Sequence, residues 1–196
     1  MKNSGFTANE LDALRDKAYR LLSEKRIPHV AGCEEEAVRM AERWGEESSL
    51  AAAAGILHDC TKKLTYEEQL QLIRKYDILC EDDLLNSPKL LHAVTGAAVA
   101  EHEFSMPEAV VSAIRWHTTG KAEMTLLEKV IYLADYIEPT RCFDGLDELR
   151  RLAYEDIDAA MALGLRMSVA DVSARGNIPH SDSLAAYDYF FSRAHT

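Results

Sequence analysis

Apolar residues recur every three or four positions along almost the whole chain, which is the period of an amphipathic α-helix. Two stretches, at about 49–60 and 88–99, are apolar on nearly every side and therefore predict helices that are buried on all faces. No internal repeat and no clear strand pattern is evident. The pattern predicts an all-α fold.

Local sequence signals indicate where these helices begin and end. Thr7 and Thr65 each precede a glutamate by three residues, which is the pattern of a capping box. Pro28 is expected to end the first helix, and Ser87 and Asp144 are expected to cap two later ones. The predicted helices span about 8–27, 29–45, 49–60, 65–76, 88–99, 105–117, 125–137, 145–153, 155–170 and 183–194.

Length and composition are those of one soluble globular domain. The chain has 196 residues, of which 47% are hydrophobic and 28% are charged. We expect one helical-bundle domain, with a core at about 10–142 and additional C-terminal helices at about 143–196. The net charge of −11 argues against binding to nucleic acid or to an anionic membrane. There is no transmembrane or signal pattern, and the four scattered cysteines suggest reduced thiols, so we expect a cytoplasmic protein.

The first candidate site is a histidine–aspartate pair at the end of the first apolar stretch. The run from Leu50 to Leu57 leads directly into His58 and Asp59. A buried carboxylate is costly unless a cation or a fixed donor satisfies it. The pair therefore fits either a structural hydrogen bond at a helix end or a metal site.

Four more histidine and aspartate side chains lie on apolar faces of other predicted helices: His29, His92, His117 and Asp135. A single inward histidine is usually a satisfied core residue, but six such groups on five helices are difficult to satisfy without metal. Imidazole and carboxylate ligands together suit Fe, Mn, Co, Ni or Zn better than Mg alone. Two ions bridged by Asp59 would share the six ligands and leave room for water.

These residues resemble the HD-domain phosphohydrolase superfamily, whose pattern is H…HD…D. The two additional histidines, His92 and His117, resemble the two-metal branch of that superfamily. The strings RIPH, HDCTK, HTTG and ADYIEPTR, at 26–29, 58–62, 117–120 and 134–141, are similar to the bacterial YqeK family. The resemblance covers roughly residues 10–190. Cys60-Thr61 departs from the family pattern, in which an aromatic and a small residue are expected.

The resemblance implies a di-iron-type metal centre, with manganese or cobalt as alternatives to iron. One ion would be held by His29, His58, Asp59 and Asp135, and the other by Asp59, His92 and His117. Water bridging the two ions would attack phosphorus in line. The reaction implied is the symmetrical hydrolysis of diadenosine tetraphosphate to two molecules of ADP.

The resemblance also implies roles for basic residues near the metal ligands. Asp59 and Lys62 would be catalytic, since Lys62 could neutralise charge on the transferring phosphoryl group. The substrate-binding candidates are Lys62, Arg141 and Arg26. A solvated surface charge is the alternative for Lys62 and Arg141. The partner expected is a small-molecule nucleotide, and the sequence leaves a homodimer open.

Three other functions remain open at this point. The same metal centre would serve a nucleotide phosphatase or a mixed-valent di-iron oxygenase, and the fold would also serve a non-catalytic nucleotide-binding module. The basic residues Lys62 and Arg141 favour a phosphate substrate over oxygen chemistry. The complete set of ligands argues against a non-catalytic module.

Overall fold

Eleven α-helices and one 3-10 helix (Glu24–Arg26) form the regular structure of residues 5–193, which the computed structural model describes except for the side chain of residue 82. No strand occurs in this described range, so the all-α prediction is confirmed. The helices are α1 (Ala8–Tyr19), α2 (Ile27–Trp44), α3 (Ser48–Leu57), α4 (Tyr66–Lys75), α5 (Asp82–Leu85), α6 (Leu91–His102), α7 (Glu108–Trp116), α8 (Leu126–Ile137), α9 (Leu146–Glu155), α10 (Ile157–Ala174) and α11 (Ser181–Arg193).

Helix α3 lies at the centre of the fold and is buried on every face. Every residue from Leu50 to Leu57 is buried, and α2, α7 and α8 pack around the helix. Small side chains allow this close packing. A Cβ atom on Gly55 would lie only 2.8 Å from the Cα atom of Glu34 on α2, so the two helices meet where a glycine is required.

Capping boxes begin three of the helices. The hydroxyl groups of Thr7, Thr65 and Thr125 accept from the backbone N–H three residues later, and a glutamate at that position accepts from the threonine N–H in return. The two boxes predicted from sequence, at Thr7 and Thr65, are therefore confirmed, because this signal is entirely local.

Two predicted helix boundaries that lie beside a proline are wrong. Helix α1 ends at Tyr19, and Pro28 lies in the first turn of α2, where its missing N–H costs no hydrogen bond. Ser87 does not cap a helix. Its carbonyl instead accepts from the N–H of Leu90 in a turn, and α6 begins only at Leu91.

Further differences lie in the C-terminal half and in one connection. Asp144 does not cap α9, because Gly145 holds the N-cap position with a φ of +85°. Helix α10 is capped by Asp156 and continues to Ala174, and the short helix α5 lies within a predicted connection. The expected end of the last helix at about 194 lies outside the described residues.

The C-terminal helices pack against the central bundle. The indole N–H of Trp44 donates to the carbonyl of Ala153 at 2.8 Å, and Arg43 Nε donates to the carbonyl of Tyr154 at 2.9 Å, which ties α9 to α2. Helix α10 packs against α8, α9 and α11. In the described range no helix is both long and apolar enough to cross a membrane.

Candidate metal centre

The ends of five helices bring the six predicted ligand residues together. His58 and His117 hold the C-cap positions of α3 and α7, and Asp59 follows His58 directly. The other three residues, His29, His92 and Asp135, come from the first turns of α2 and α6 and the last turn of α8. Asp135 is half-buried and the other five are buried.

The two carboxylate oxygens of Asp59 face two different pairs of histidines. Oδ2 lies 3.4 Å from His58 Nε2 and 3.7 Å from His29 Nε2. Oδ1 lies 3.2 Å from His92 Nε2 and 3.8 Å from His117 Nε2. Asp59 thus belongs to two groups of potential ligands, whose ligand atoms in each group lie within 4.8 Å of one another.

Asp135 joins the first of these groups. Its Oδ1 lies 3.0 Å from His29 Nε2 and 3.9 Å from His58 Nε2. We call His29, His58, Asp59 and Asp135 the inner group. Asp59, His92 and His117 form the cavity-side group, because His92 and His117 line the cavity described below.

Main-chain and carboxylate acceptors fix the orientation of each histidine. The Nδ1–H groups of His58, His92 and His117 donate to the carbonyls of Gly55, Lys89 and Ile114 at 2.7, 2.9 and 2.7 Å. Since a carbonyl can only accept, Nδ1 carries the proton and Nε2 presents its lone pair to the centre. This is the arrangement that metal-binding histidines usually adopt.

The geometry at the middle of the centre fits cations. His92 Nε2 and His117 Nε2 lie 3.1 Å apart, and with both protons on Nδ1 neither nitrogen can donate to the other. Oδ1 of Asp59 is buried without a hydrogen-bond partner among the described residues. A buried carboxylate oxygen without a hydrogen-bond partner is costly unless a cation satisfies it. The residues present therefore fit divalent metal ions.

The protonation states of these residues also fit metal binding. Burial and the neighbouring His92 and His58 lower the pKa of His117 to about 3, and burial also lowers the pKa of His92. Burial opposes ionisation of Asp59, but His58 and His92 hold the pKa of its carboxyl well below the usual range. Neutral His92 and His117 and an ionised Asp59 are the forms that bind metal. Burial opposes protonation of His58, but Cys33 and Asp59 raise the pKa of its imidazole well above the usual range, so a bound cation would replace that proton.

Sequence reasoning missed a buried carboxylate behind His29. Glu138 is fully buried, and its Oε1 accepts from His29 Nδ1 at 3.0 Å. The N–H of Thr140 donates to Oε2 at 2.7 Å, which holds this carboxylate in place. The signal was present in the ADYIEP string, because Glu138 follows Asp135 by three residues at the end of a helix.

The three predicted basic residues all lie at the centre but differ in position. Lys62 Nζ lies 3.0 Å from His92 Nε2, and Arg141 pairs with the carboxylate and carbonyl of Asp135. Both line the cavity. Arg26 pairs with Asp59 and does not line the cavity, so it lies beside the inner group.

A cavity of about 620 Å³ opens at the cavity-side group. This volume is typical of sites for small molecules and cofactors. Its charged lining consists of four basic and three acidic side chains: Lys62, Lys89, Arg141, Arg175, Asp135, Asp144 and Asp171. Arg141 and Arg175 pair with Asp135 and Asp171. The two lysines therefore provide the positive charge that fits an anionic ligand.

Cys60 and Thr61, which differ from the YqeK-family pattern, lie beside the metal centre and contact the backbone of α6. The hydroxyl of Thr61 donates to the carbonyl of His92 at 3.0 Å, and the thiol of Cys60 contacts the carbonyl of Gly96 at 3.9 Å. Both residues therefore hold the segment after Asp59 against α6.

Comparison with known proteins identifies this arrangement. The family model of the HD domain matches residues 26–140, a span that contains all six candidate ligands. The chain belongs to the HD-domain family. The chain is also similar to two proteins that are both named "Bis(5'-nucleosyl)-tetraphosphatase, symmetrical". The relative from Bacillus subtilis is 37% identical over 87% of this chain and 92% of its own length. The one from Staphylococcus aureus is 40% identical over 71% of this chain and 74% of its own length.

A solved HD-domain structure supports the assignment at the level of the fold. It is a protein from Clostridium acetobutylicum, described as a predicted HD superfamily hydrolase involved in NAD metabolism. The two structures match with a TM-score of 0.89 at 36% sequence identity, covering 97% of this chain and 100% of the other. The helices C-terminal to the HD match at 26–140 are therefore part of the shared fold.

Proposed function

We propose that this chain is a metal-dependent hydrolase that cleaves diadenosine tetraphosphate symmetrically into two molecules of ADP. The observation that carries the proposal is the division of Asp59 between two histidine pairs beside a cavity that Lys62 and Lys89 line. The names of the similar HD-domain proteins support the choice of substrate and of reaction. The cationic side chains of Lys62, Lys89 and Arg141 in the cavity lining suit an anionic polyphosphate and support it further.

The proposal includes two metal ions. The inner group would hold one and the cavity-side group the other, with Asp59 between them. Iron is the expected metal, with manganese or cobalt as alternatives, because imidazole and carboxylate ligands are mixed here. When bound, such ions supply an acidified water as nucleophile and positive charge for the phosphoryl oxygens.

The protein's own residues would place the polyphosphate and balance its charge. Lys62 lies at the rim beside His92, where its ammonium group can contact an oxygen of the reacting phosphoryl group. Arg141 presents a planar guanidinium that suits two oxygens of a phosphate chain. Arg26 pairs with Asp59 and does not line the cavity, so we assign it to orienting that carboxylate, while its contact with the phosphate chain stays a prediction.

The remaining parts of the proposal concern partners and location. The net charge of −11 supports a small nucleotide, rather than nucleic acid or a membrane, as the partner. We propose a cytoplasmic location and a protein that acts alone or as a homodimer.

The test compares substrates on one preparation of the full chain reconstituted with Fe, Mn or Co. Diadenosine tetraphosphate, ATP, ADP and a simple phosphate monoester are incubated separately, and products are resolved by chromatography. We expect ADP as the sole early product from the dinucleotide, and turnover well above that of the other substrates. Preferred release of inorganic phosphate from the mononucleotides would instead establish a nucleotide phosphatase. An unsymmetrical split into ATP and AMP would overturn the proposed position of attack.

A further inference from the structure

Part of the cavity lining consists of two aromatic rings and a methionine, none of which is a candidate metal ligand. Tyr136 and Phe143 lie edge to face with ring centroids 5.3 Å apart, and Met167 of α10 lines the same cavity. We call these three residues the aromatic wall. Phe143 is 36% exposed although it belongs to a cavity lining, so its ring is accessible to a bound molecule.

The aromatic wall begins directly beside the metal centre. Tyr136 follows the inner-group ligand Asp135, and Phe143 lies two residues after Arg141, whose guanidinium pairs with Asp135. His92 and His117 line the cavity as well. A molecule whose phosphates lie at the histidines and at Arg141 would therefore extend its next group along the aromatic wall.

The segment that carries Phe143 is held firmly in place. Arg150 donates from Nε to the carbonyl of Ile137 and from its terminal nitrogen to the carbonyl of Glu138, both at 3.0 Å. At the other end, a Cβ atom on Gly145 would lie 3.1 Å from Met167 Cε, so the backbone there lies against the end of the Met167 side chain. A wall held at both ends offers binding area at a low cost in conformational entropy.

We propose that Tyr136, Phe143 and Met167 form the nucleobase subsite of this cavity, which holds the base of the nucleotide half whose phosphates face His92 and His117. Every base has a π-face, and stacking on aromatic side chains binds bases with little dependence on their identity. The inference rests on the proposed function, because it assumes that a nucleotide occupies the cavity. It adds the residues that recognise the base, and it predicts tolerance for other purines.

The decisive measurement is a comparison of two ligands that differ only in the base. Calorimetry on the full, metal-reconstituted chain compares binding of ADP with binding of ribose 5′-diphosphate. We expect the wild type to prefer ADP, and Phe143→Ala to reduce that preference by about 5- to 150-fold, the range that stacking of one base provides. The affinity of Phe143→Ala for ribose 5′-diphosphate should stay within about twofold of wild type, because the ring is partly exposed and away from the phosphates.

Two further variants and a kinetic measurement sharpen the result. Phe143→Tyr retains a ring and should restore the preference, whereas Tyr66→Ala removes an exposed ring outside the cavity and should leave it unchanged. With diadenosine tetraphosphate, Phe143→Ala should raise KM while kcat stays near wild type. An equal loss of affinity for both ligands in Phe143→Ala, or no preference for ADP in the wild type, would overturn the subsite.

Different results would contradict the proposed subsite and the proposed function. A wild-type protein that prefers ADP through Phe143 but does not cleave the dinucleotide would retain the subsite and lose the proposed reaction. A protein that cleaves the dinucleotide with the same KM in wild type and Phe143→Ala would keep the reaction and lose the subsite.

Discussion

The two groups of ligand residues that share Asp59 differ in charge and in exposure to the cavity. The inner group contains two carboxylates and has Arg26, Arg141 and Glu138 around it. The cavity-side group has only the carboxylate of Asp59, and its histidines are oriented by main-chain carbonyls. Since two carboxylates attract a cation more strongly than one, we expect the inner group to bind its ion more tightly.

The two groups also differ in how many of their members line the cavity, which indicates different roles for them. Most of the inner group is enclosed by protein, and only Asp135 among its members lines the cavity. His92, His117 and Lys62 all face the space that a substrate would occupy. The comparison therefore suggests that the inner group anchors metal and that the cavity-side group meets the reacting phosphate. Four substitutions test it, each on a different part of the centre.

Replacement of Asp59, which both ligand groups share, should prevent metal binding in both groups. Asp59→Asn keeps the shape of the side chain but removes the charge that both groups depend on, so activity should fall by at least about 10,000-fold. Elemental analysis should show loss of metal from both groups, while circular dichroism shows a folded protein. Asp147→Asn, on the exposed face of α9, is the matched control and should behave as wild type. Turnover near wild type in Asp59→Asn would remove Asp59 from the mechanism.

Loss of a cavity-side histidine should affect one group only. His117→Ala should retain about one ion per chain where wild type holds about two, and lose activity by roughly 1000-fold. The rival view, a satisfied core histidine, predicts unchanged metal content and a loss of about 1–3 kcal/mol in the free energy of unfolding. Metal analysis and thermal melting on the same samples separate these views, with His102→Ala as an exposed control. A wild type that never exceeds one ion per chain would contradict the two-metal proposal.

The basic residue at the rim should influence turnover without influencing metal content. Lys62→Ala is expected to lower kcat by about 10- to 1000-fold, the scale of one electrostatic contact to the transition state. The neighbouring Lys63, which donates to the carbonyl of Arg20 at 3.2 Å, provides a control that differs by one position. Lys63→Ala should retain wild-type kinetics. Metal loss in Lys62→Ala would show that Lys62 supports His92 and has no direct role with the substrate.

The smallest effect is expected behind the inner group. Glu138→Gln weakens the acceptor of the His29 proton, so the affinity of the inner group for metal should fall by about 10- to 100-fold. Chelator titration measures this affinity, and turnover at saturating metal should remain close to wild type. Glu148→Gln, on the surface, is the control. A kcat that stays low in Glu138→Gln even when metal saturates would place Glu138 in the chemistry itself.

The helices and the inward direction of the site residues could be predicted from sequence, because both depend on local signals. The period of apolar residues indicates which face of a helix is buried, and the boxes at Thr7 and Thr65 fix two helix starts from four residues each. Pro28 and Asp144 were misplaced because proline and aspartate suit more than one position near a helix start.

The organisation of the site was decided only by tertiary structure. Register shows that His29 and His92 point inward, but packing of α2 against α3 and of α6 against α7 determines which oxygen of Asp59 each one faces. Glu138 reaches His29 across 109 positions of sequence, and Met167 meets the segment of Phe143 only because α10 packs against α8. Such contacts depend on the relative placement of whole helices, which no local pattern specifies.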